Sequence, residues 1–458
     1  MENKNSLLPL AAIKKYKKFF IISVFILLVS FMINAFGVVP IDDFVVFQND
    51  SDALVANSVR CEGELFNGQL LILDNSKSGV NGNSCIKDNY ISYQSQFGLQ
   101  GRVFTLMYRV LKIVNISYGV SIVLFYFINA LMSATVMGLL VLWVRNKFGF
   151  TPSTVLMFGI AMSPIVVEFA KSLYWCAPLL FLPIIFTLYY FPRYNKRFVF
   201  WFVLWLILYL RFLCGYEYIT TISIMVFSII SYFLFINKTR FSQYLRVGLI
   251  TLAVSIMAFG AALSTHAISL RSDHLSMVDA INIVVSRAKD RSVDVGDKYA
   301  DFPNGWLQTR NPAYYKVVNF LANNDNMTLQ HPKLWSMFSF ISVYLLSPVI
   351  NLPVSFNDSF GGYFQSTAVF FLILIVLYFA YFKKQKGTNI REIQALYLVV
   401  IFGLLGYLSW LIFAHQHSMI HVFLNVILMY MPAVLFGYII IGVFIESIFK
   451  KRIKFRKK

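Results

Sequence analysis

The stretch FFIISVFILLVSFMINAFGVVPIDD, Phe19 to Asp43, decides how the chain is read. Its apolar run, Phe19 to Val39, has about the 20 residues that a helix needs to cross a hydrocarbon core of roughly 30 Å. Pro40 ends the run and delivers Asp42 and Asp43 to the point where a membrane helix stops and an aqueous loop begins. Lys14, Lys15, Lys17 and Lys18 precede it, which sets the N-terminus on the cytoplasmic side. The run is too long for a cleavable signal, and no small-residue cleavage site follows it. Two neighbouring carboxylates resist joint ionisation. One of the pair is therefore suited to act as a general base at a membrane surface. The plainer reading is a helix end followed by solvated acids.

Composition extends this pattern to the whole chain. Of 458 residues, 58% are hydrophobic, 17% aromatic and 13% charged, and the mean hydropathy is +0.66. Those values exclude a soluble domain. The expected fold class is all-α and polytopic, a single membrane domain over 1–458 with about ten spans. Beyond the first, they fall near 117–144, 153–169, 175–191, 198–214, 217–236, 245–265, 364–382, 394–414 and 420–447. A net charge of +19 raises the question of nucleic acid. Its distribution argues against that partner. Lys and Arg gather in short links (145–147, 193–197, 237–240, 383–386) and in the tail after Lys450, as positive-inside topology requires. Both termini are then cytoplasmic.

Two long polar segments remain, 40–116 and 266–363, both external by this count. The first holds Cys61 and Cys85, read either as a disulfide of an oxidising compartment or as two free thiols. Toward its end, Phe104 to Val114 mixes apolar and basic residues like a helix lying on the membrane surface. Within the second, the apolar stretch 335–350 is short for a span. If it crossed, the later basic segments would fall outside, so it reads as re-entrant or interfacial.

Polar groups concentrate on the external side. Beside Asp42 and Asp43 stand Arg102 and Arg109, seven apart on the surface helix and suited to phosphate contact or to anchoring on lipid headgroups. Gln96 lies in the run Tyr93-Gln-Ser-Gln-Phe-Gly-Leu-Gln-Gly-Arg102, rich in amides and glycine. Lys171 ends a span and either faces a ligand or pairs with Glu168. Arg211 and Glu217 share a short link and either bind substrate, pair, or leave the arginine to snorkel. His417 and His421, four apart, fit neutral donors to a phosphate or sugar better than a metal pair, which leaves a divalent metal as an open cofactor. Interleaved Tyr174, Trp175, Tyr216 and Tyr218 suit sugar stacking or a membrane-interface belt. No nucleotide-binding fingerprint is present.

A first span, an acidic pair opening a large external loop, a surface helix and many further spans resemble the GT-C superfamily. These are membrane glycosyltransferases that use polyprenyl-phosphate-linked sugars. The segments Tyr93–Arg102, Leu173–Trp175, Gly215–Tyr218 and His417–His421 are similar to those of bacterial members, including the O-antigen-modifying glucosyltransferases of phage and enterobacteria. Residues that those enzymes carry after the acidic pair are missing after Asp43. The resemblance implies a multi-pass protein of the bacterial inner membrane, with its active site facing the periplasm. Its partners would be a polyprenyl-phosphate sugar, a lipopolysaccharide or other lipid-linked glycan acceptor, and membrane lipids. Asp42 or Asp43 would deprotonate the acceptor; Arg102, Arg109, Arg211 or the late histidines would hold the lipid phosphate. Two alternatives stand beside it: an O-antigen or polysaccharide polymerase, and a lipid-linked oligosaccharide flippase or transporter.

Overall fold

The computed structural model describes residues 8–46, 49–62, 68–74, 85–86, 89–271, 276–292, 341, 344–345, 347–350, 366–382, 388–414, 418 and 424–456. The chain is overwhelmingly helical. Five helices, Tyr118–Phe148, Ile219–Ile236, Phe241–Arg271, Ile390–Phe413 and Val426–Lys450, are long and apolar enough to cross a membrane. Two bent pairs, Pro9–Lys15 with Lys17–Ile33 and Phe150–Ala161 with Pro164–Lys171, raise the number to seven if each is one span. The chain is thus a multi-pass helical membrane protein. Of the interfacial helix expected over 335–350, residues 341, 344–345 and 347–350 are described; the chain is helical at 341 and 344–345 and no longer helical from 347, where Pro348 bridges Ser366.

The elements run α1 (Pro9–Lys15), α2 (Lys17–Ile33), α3 (Ile41–Val46), α4 (Asn49–Arg60), strands β1 (Leu71–Leu73) and β2 (Tyr90–Ser92), and α5 (Leu99–Ile113). Then come α6 (Tyr118–Phe148), α7 (Phe150–Ala161), α8 (Pro164–Lys171), α9 (Ala177–Tyr194), α10 (Phe198–Cys214) and α11 (Ile219–Ile236). The series continues with α12 (Phe241–Arg271), α13 (Met277–Ser292), α14 (Thr367–Phe382), α15 (Thr388–Phe413), α16 (Val426–Met429) and α17 (Leu435–Arg456).

The first apolar run departs from expectation in an instructive way. Helix α2 ends at Ile33, well before Val39. Asn34 adopts a left-handed conformation, φ 51°, which stops the helix. Its side chain then clasps the following loop. Oδ1 accepts from Val38 N at 3.0 Å and Val39 N at 3.3 Å, while Nδ2 donates to Val39 O at 2.5 Å. An Asn can replace a missing turn of helix in this way because its amide offers both donor and acceptor. Asp42 and Asp43 therefore sit not on the end of the first span but in their own short helix, α3, restarted after Pro40.

The helices pack through close approaches and side chain to backbone bonds. Helix α11 lies along α15, with Thr221 Oγ1 donating to Gly406 O at 2.9 Å. Tyr189 of α9 donates to Leu139 O of α6 at 2.8 Å. Helix α17 meets α7 at Gly159, where a Cβ would stand 2.7 Å from the Tyr438 ring. Small residues at such crossings let membrane helices approach closely enough for dispersion to hold them. Exposed Leu245, Leu249, Leu252 and Ile256 line one side of α12, as a lipid-facing surface does. This helix continues to Arg271, past the expected boundary near 265, because Ala267, Ile268 and Leu270 extend its apolar sequence.

The first polar segment is ordered where described, but not entirely helical. Strands β1 and β2 form a small antiparallel hairpin, with Leu71 opposite Ser92. Cys61 and Cys85 are joined by a disulfide. Cys61 packs with Leu71 and Tyr90 in a separate apolar cluster. That cluster is too small to hold the hairpin without a covalent tie. Replacing both cysteines by serine should weaken the hairpin by on the order of 3 kcal/mol. Limited proteolysis checks this: cleavage between residues 62 and 98 should accelerate while the helices stay resistant.

Candidate functional site

The site is built around a break in the helical body. Helix α8 ends at Lys171, α9 begins at Ala177, and the link between them is buried. Backbone groups out of helical register inside an apolar body must be satisfied by the protein itself. Each neighbouring element contributes. From α6, Ser133 Oγ donates to Ala170 O at 2.7 Å and Asn129 Nδ2 to Ser172 O at 2.6 Å. From α4, the Asp52 carboxylate accepts from Ser172 Oγ at 2.7 Å and Tyr174 N at 2.9 Å. From α5, Gln100 Nε2 donates both to Tyr174 O at 3.0 Å and to Cys214 O at 2.9 Å. One amide thereby joins the α8–α9 link to the end of α10.

Asp52 was not among the residues singled out by sequence. It lies in the stretch Asn49-Asp-Ser-Asp52, which reads as an ordinary polar start to a helix. In the fold it is 5% exposed. Burial pushes its carboxyl up to about 6, against the opposing pull of donors from Tyr174, Ser172, Tyr126 and Leu173. Through its bonds to Ser172 Oγ and Tyr174 N, Asp52 holds the link in place.

Lys171 brings the acidic stretch to this break. Its Nζ donates to Phe44 O at 2.9 Å and rests 3.5 Å from the centre of the Phe44 ring. The ammonium thus touches the residue immediately after Asp43. Asp42 and Asp43 are in α3, but their side chains lie outside the described ones. His417 and His421 also lie outside the described residues.

Gln96, Arg211 and Glu217 gather on the α10–α11 link. Arg211 is 1% exposed, which excludes snorkelling. Its Nη1 donates to Gly215 O at 3.3 Å and its Nη2 to Glu217 O at 3.4 Å. Gly215 leaves room for this approach: a Cβ there would meet Gln96 Oε1 at 2.8 Å and crowd the Glu217 carboxylate, so both side-chain ends would have to shift. Tyr174 OH donates to Gln96 Oε1 at 3.3 Å and ties this group to the break. Three buried atoms here, Gln96 Nε2, Gln100 Oε1 and Arg211 Nε, have no hydrogen-bond partner among the described residues. Buried polar atoms of native proteins are normally bonded, which sets these three apart.

The two arginines of the surface helix separate. Arg102 lies over the Phe97 ring and donates from Nη2 to Ser269 Oγ of α12 at 2.6 Å. One turn earlier on α12, buried His266 faces Tyr216 with ring centres 5.8 Å apart. Arg102 therefore borders the Arg211 group. Arg109 is exposed and donates to Glu62 O at 2.6 Å, beside the Lys112–Glu62 ion pair. It serves to fix the end of α4. The helix expected over Phe104 to Val114 is found as α5, which starts earlier, at Leu99, and has one buried and one exposed face. Phe104, Thr105 and Tyr108 are buried, while Val103, Leu106, Val110 and Ile113 are exposed.

Tyr174, Trp175 and Tyr218, which suit sugar stacking or an interface belt in sequence, are buried in the core. Trp175 stacks on Tyr218 at 5.6 Å and 12°, Tyr218 meets Trp410 edge-on, and Tyr174 packs on Trp175. Among the described residues, no three His, Cys, Asp or Glu gather in a way that could hold a metal ion. The chain matches no family model, no curated protein and no solved structure.

Two outcomes test this construction. A carboxyl whose folded value is raised above the unfolded one, near 3.9, adds stability at low pH and loses it as pH rises through 6. Lowering the pH from 7 to 5 should therefore stabilise the wild type relative to Asp52→Asn by about 1 kcal/mol. Thermal unfolding in detergent across that range measures it. Gly215→Ala should destabilise by about 1–3 kcal/mol, the usual cost of an inserted methyl in a packed site, whereas Gly119→Ala, in open space, should not.

Proposed function

We propose that the protein is an integral-membrane glycosyltransferase. It would move a sugar from a polyprenyl-phosphate carrier to a surface glycan such as O-antigen, on the periplasmic side of a bacterial inner membrane. The observation that carries this reading is the contact of Lys171 with Phe44. A cation at a helix break lies against the short helix that bears Asp42 and Asp43, at the same end of the body as buried Arg211. A lipid phosphate needs cations at the membrane edge as it leaves, and an alcohol nucleophile needs a carboxylate to take its proton.

In this reading Asp42 or Asp43 is the base. Arg211, Arg102 and Lys171 neutralise the phosphate, and Gln96 and Glu217 bind sugar or acceptor hydroxyls. About ten crossings are read, with both termini cytoplasmic. The helices α9, α10 and α14 add crossings to those that length and apolarity alone establish. The basic links 145–147, 193–197 and 237–240 then share one side, and the Asp52, Lys171 and Arg211 group the other.

Asp42→Asn and Asp43→Asn test the reading. At least one should lower sugar transfer to a membrane-linked glycan about 100-fold or more, the range of a general base, with donor binding retained. Unchanged transfer in both single variants and in the double variant would overturn the mechanism. Passage of an unmodified lipid-linked substrate across vesicles would favour a transporter instead.

A further inference from the structure

One row of α12 changes its surroundings along the helix. Leu249, Ile256, Leu263 and Leu270 follow one another at intervals of seven residues, close to two turns, and so share a side. Leu249 and Ile256 are exposed, on the side of α12 that has the character of a lipid-facing surface. Leu263 is half-buried, and Leu270 is covered. The cover is α13. Its Ala280 and Val284 are buried together with Leu270, with Leu263 and Ile283 packed at the edge of the cluster. Helix α13 therefore lies over the continuation of a row that faces lipid two turns earlier.

Helix α13 has three distinct faces. Its start is fixed by Ser276, whose Oγ accepts from Asp279 N at 3.1 Å and donates to Asp279 Oδ2 at 2.6 Å. Ala280, Ile283 and Val284 form the inner face. Val278, Ile281 and Val285, spaced three and four, form a second face that is apolar and exposed. Asp279, Asn282 and Ser286, each one residue further on, form a third that is polar and exposed. One residue is about 100° of helix, so the polar row points away from the apolar row by roughly a quarter-turn. A helix lying in a membrane boundary needs this arrangement, with one row among acyl chains and another toward water. A helix surrounded by water does not need valine and isoleucine in an exposed line.

We infer that the partner of the exposed apolar face of α13 is the bilayer. Val278, Ile281 and Val285 rest on the acyl chains of the leaflet where α12 ends, while Asp279, Asn282 and Ser286 face water. Lipid is the occupant because α13 sits on the side of α12 that is already exposed to it, and the apolar row of α13 extends that surface. The second polar segment of the chain thus begins in the membrane boundary, not in solution. The inference rests on α12 and α13 alone and is independent of the transferase reading.

Photocross-linking in a bilayer tests this. The full chain, carrying a diazirine amino acid at one position at a time, is reconstituted in vesicles of phosphatidylethanolamine and phosphatidylglycerol, irradiated and mapped by mass spectrometry. The expected result is lipid adducts from positions 278, 281 and 285, and none from 282 or 286. Cross-links from the apolar row to residues beyond 292 of the same chain overturn the proposal, because that segment is then the cover. Cross-links to a second copy overturn it in favour of a dimer. Lipid adducts in equal amount from both rows, or from neither, overturn it as well. If a label at one position prevents folding, the other positions of its row decide.

Discussion

The burial of non-helical backbone between α8 and α9 is the constraint on which the rest of this structure depends. A peptide group left unpaired in an apolar body costs several kcal/mol, and this link contains several. The fold answers with side chains drawn from three directions: Ser133 and Asn129 from α6, Asp52 from α4 and Gln100 from α5. Each can reach the break only if its own helix is docked. The polar segment after the first span is therefore bound into the body rather than draped over it. The groups that gather there are held by bonds of their own: Lys171 to Phe44 O, Arg211 to Gly215 O and Glu217 O, and Gln96 to Tyr174 OH. A site built this way is preorganised, because the atoms that position it also satisfy the backbone.

Much of this was legible in the sequence, and the reasons differ from element to element. The apolar runs announce α6, α11, α12 and α15, since a span must be about 20 residues long wherever it occurs. Helix α5 announces itself by its alternation of apolar and basic residues. Arg211, Glu217 and Lys171 stand out because charges at the ends of spans are costly. Asp52 does not stand out. It is one acid among several polar residues, and its importance comes from a partner 120 positions away. Asn34 is hidden for a related reason: apolar residues continue to Val39, and the left-handed turn at Asn34 that ends the helix is secured by bonds to Val38 and Val39. Gln100 belonged to a cluster that was visible, but its role as a bridge between two links is purely tertiary.

The aromatic residues carry the opposite lesson. Tyr174, Trp175 and Tyr218 sit in segments rich in polar groups, which invites a role in ligand stacking. In the fold they face one another and Trp410 instead. Aromatic rings bury much area with few rotatable bonds, so they fill the space that a broken helix leaves. The same residues that look like a binding platform in sequence are what allows the break to exist inside a packed body.

Gln100 has a mechanical meaning as well. Helix α5 presents Val103, Leu106, Val110 and Ile113 outward and Gln100 inward. Its outer face suits the boundary between headgroups and acyl chains. Its inner face grips two separate links through one amide. Any displacement of α5 is therefore delivered to both links together, as by the short arm of a lever. The spacing between Tyr174 O and Cys214 O is set by one side chain, so the position of α5 enters the geometry of both links at once.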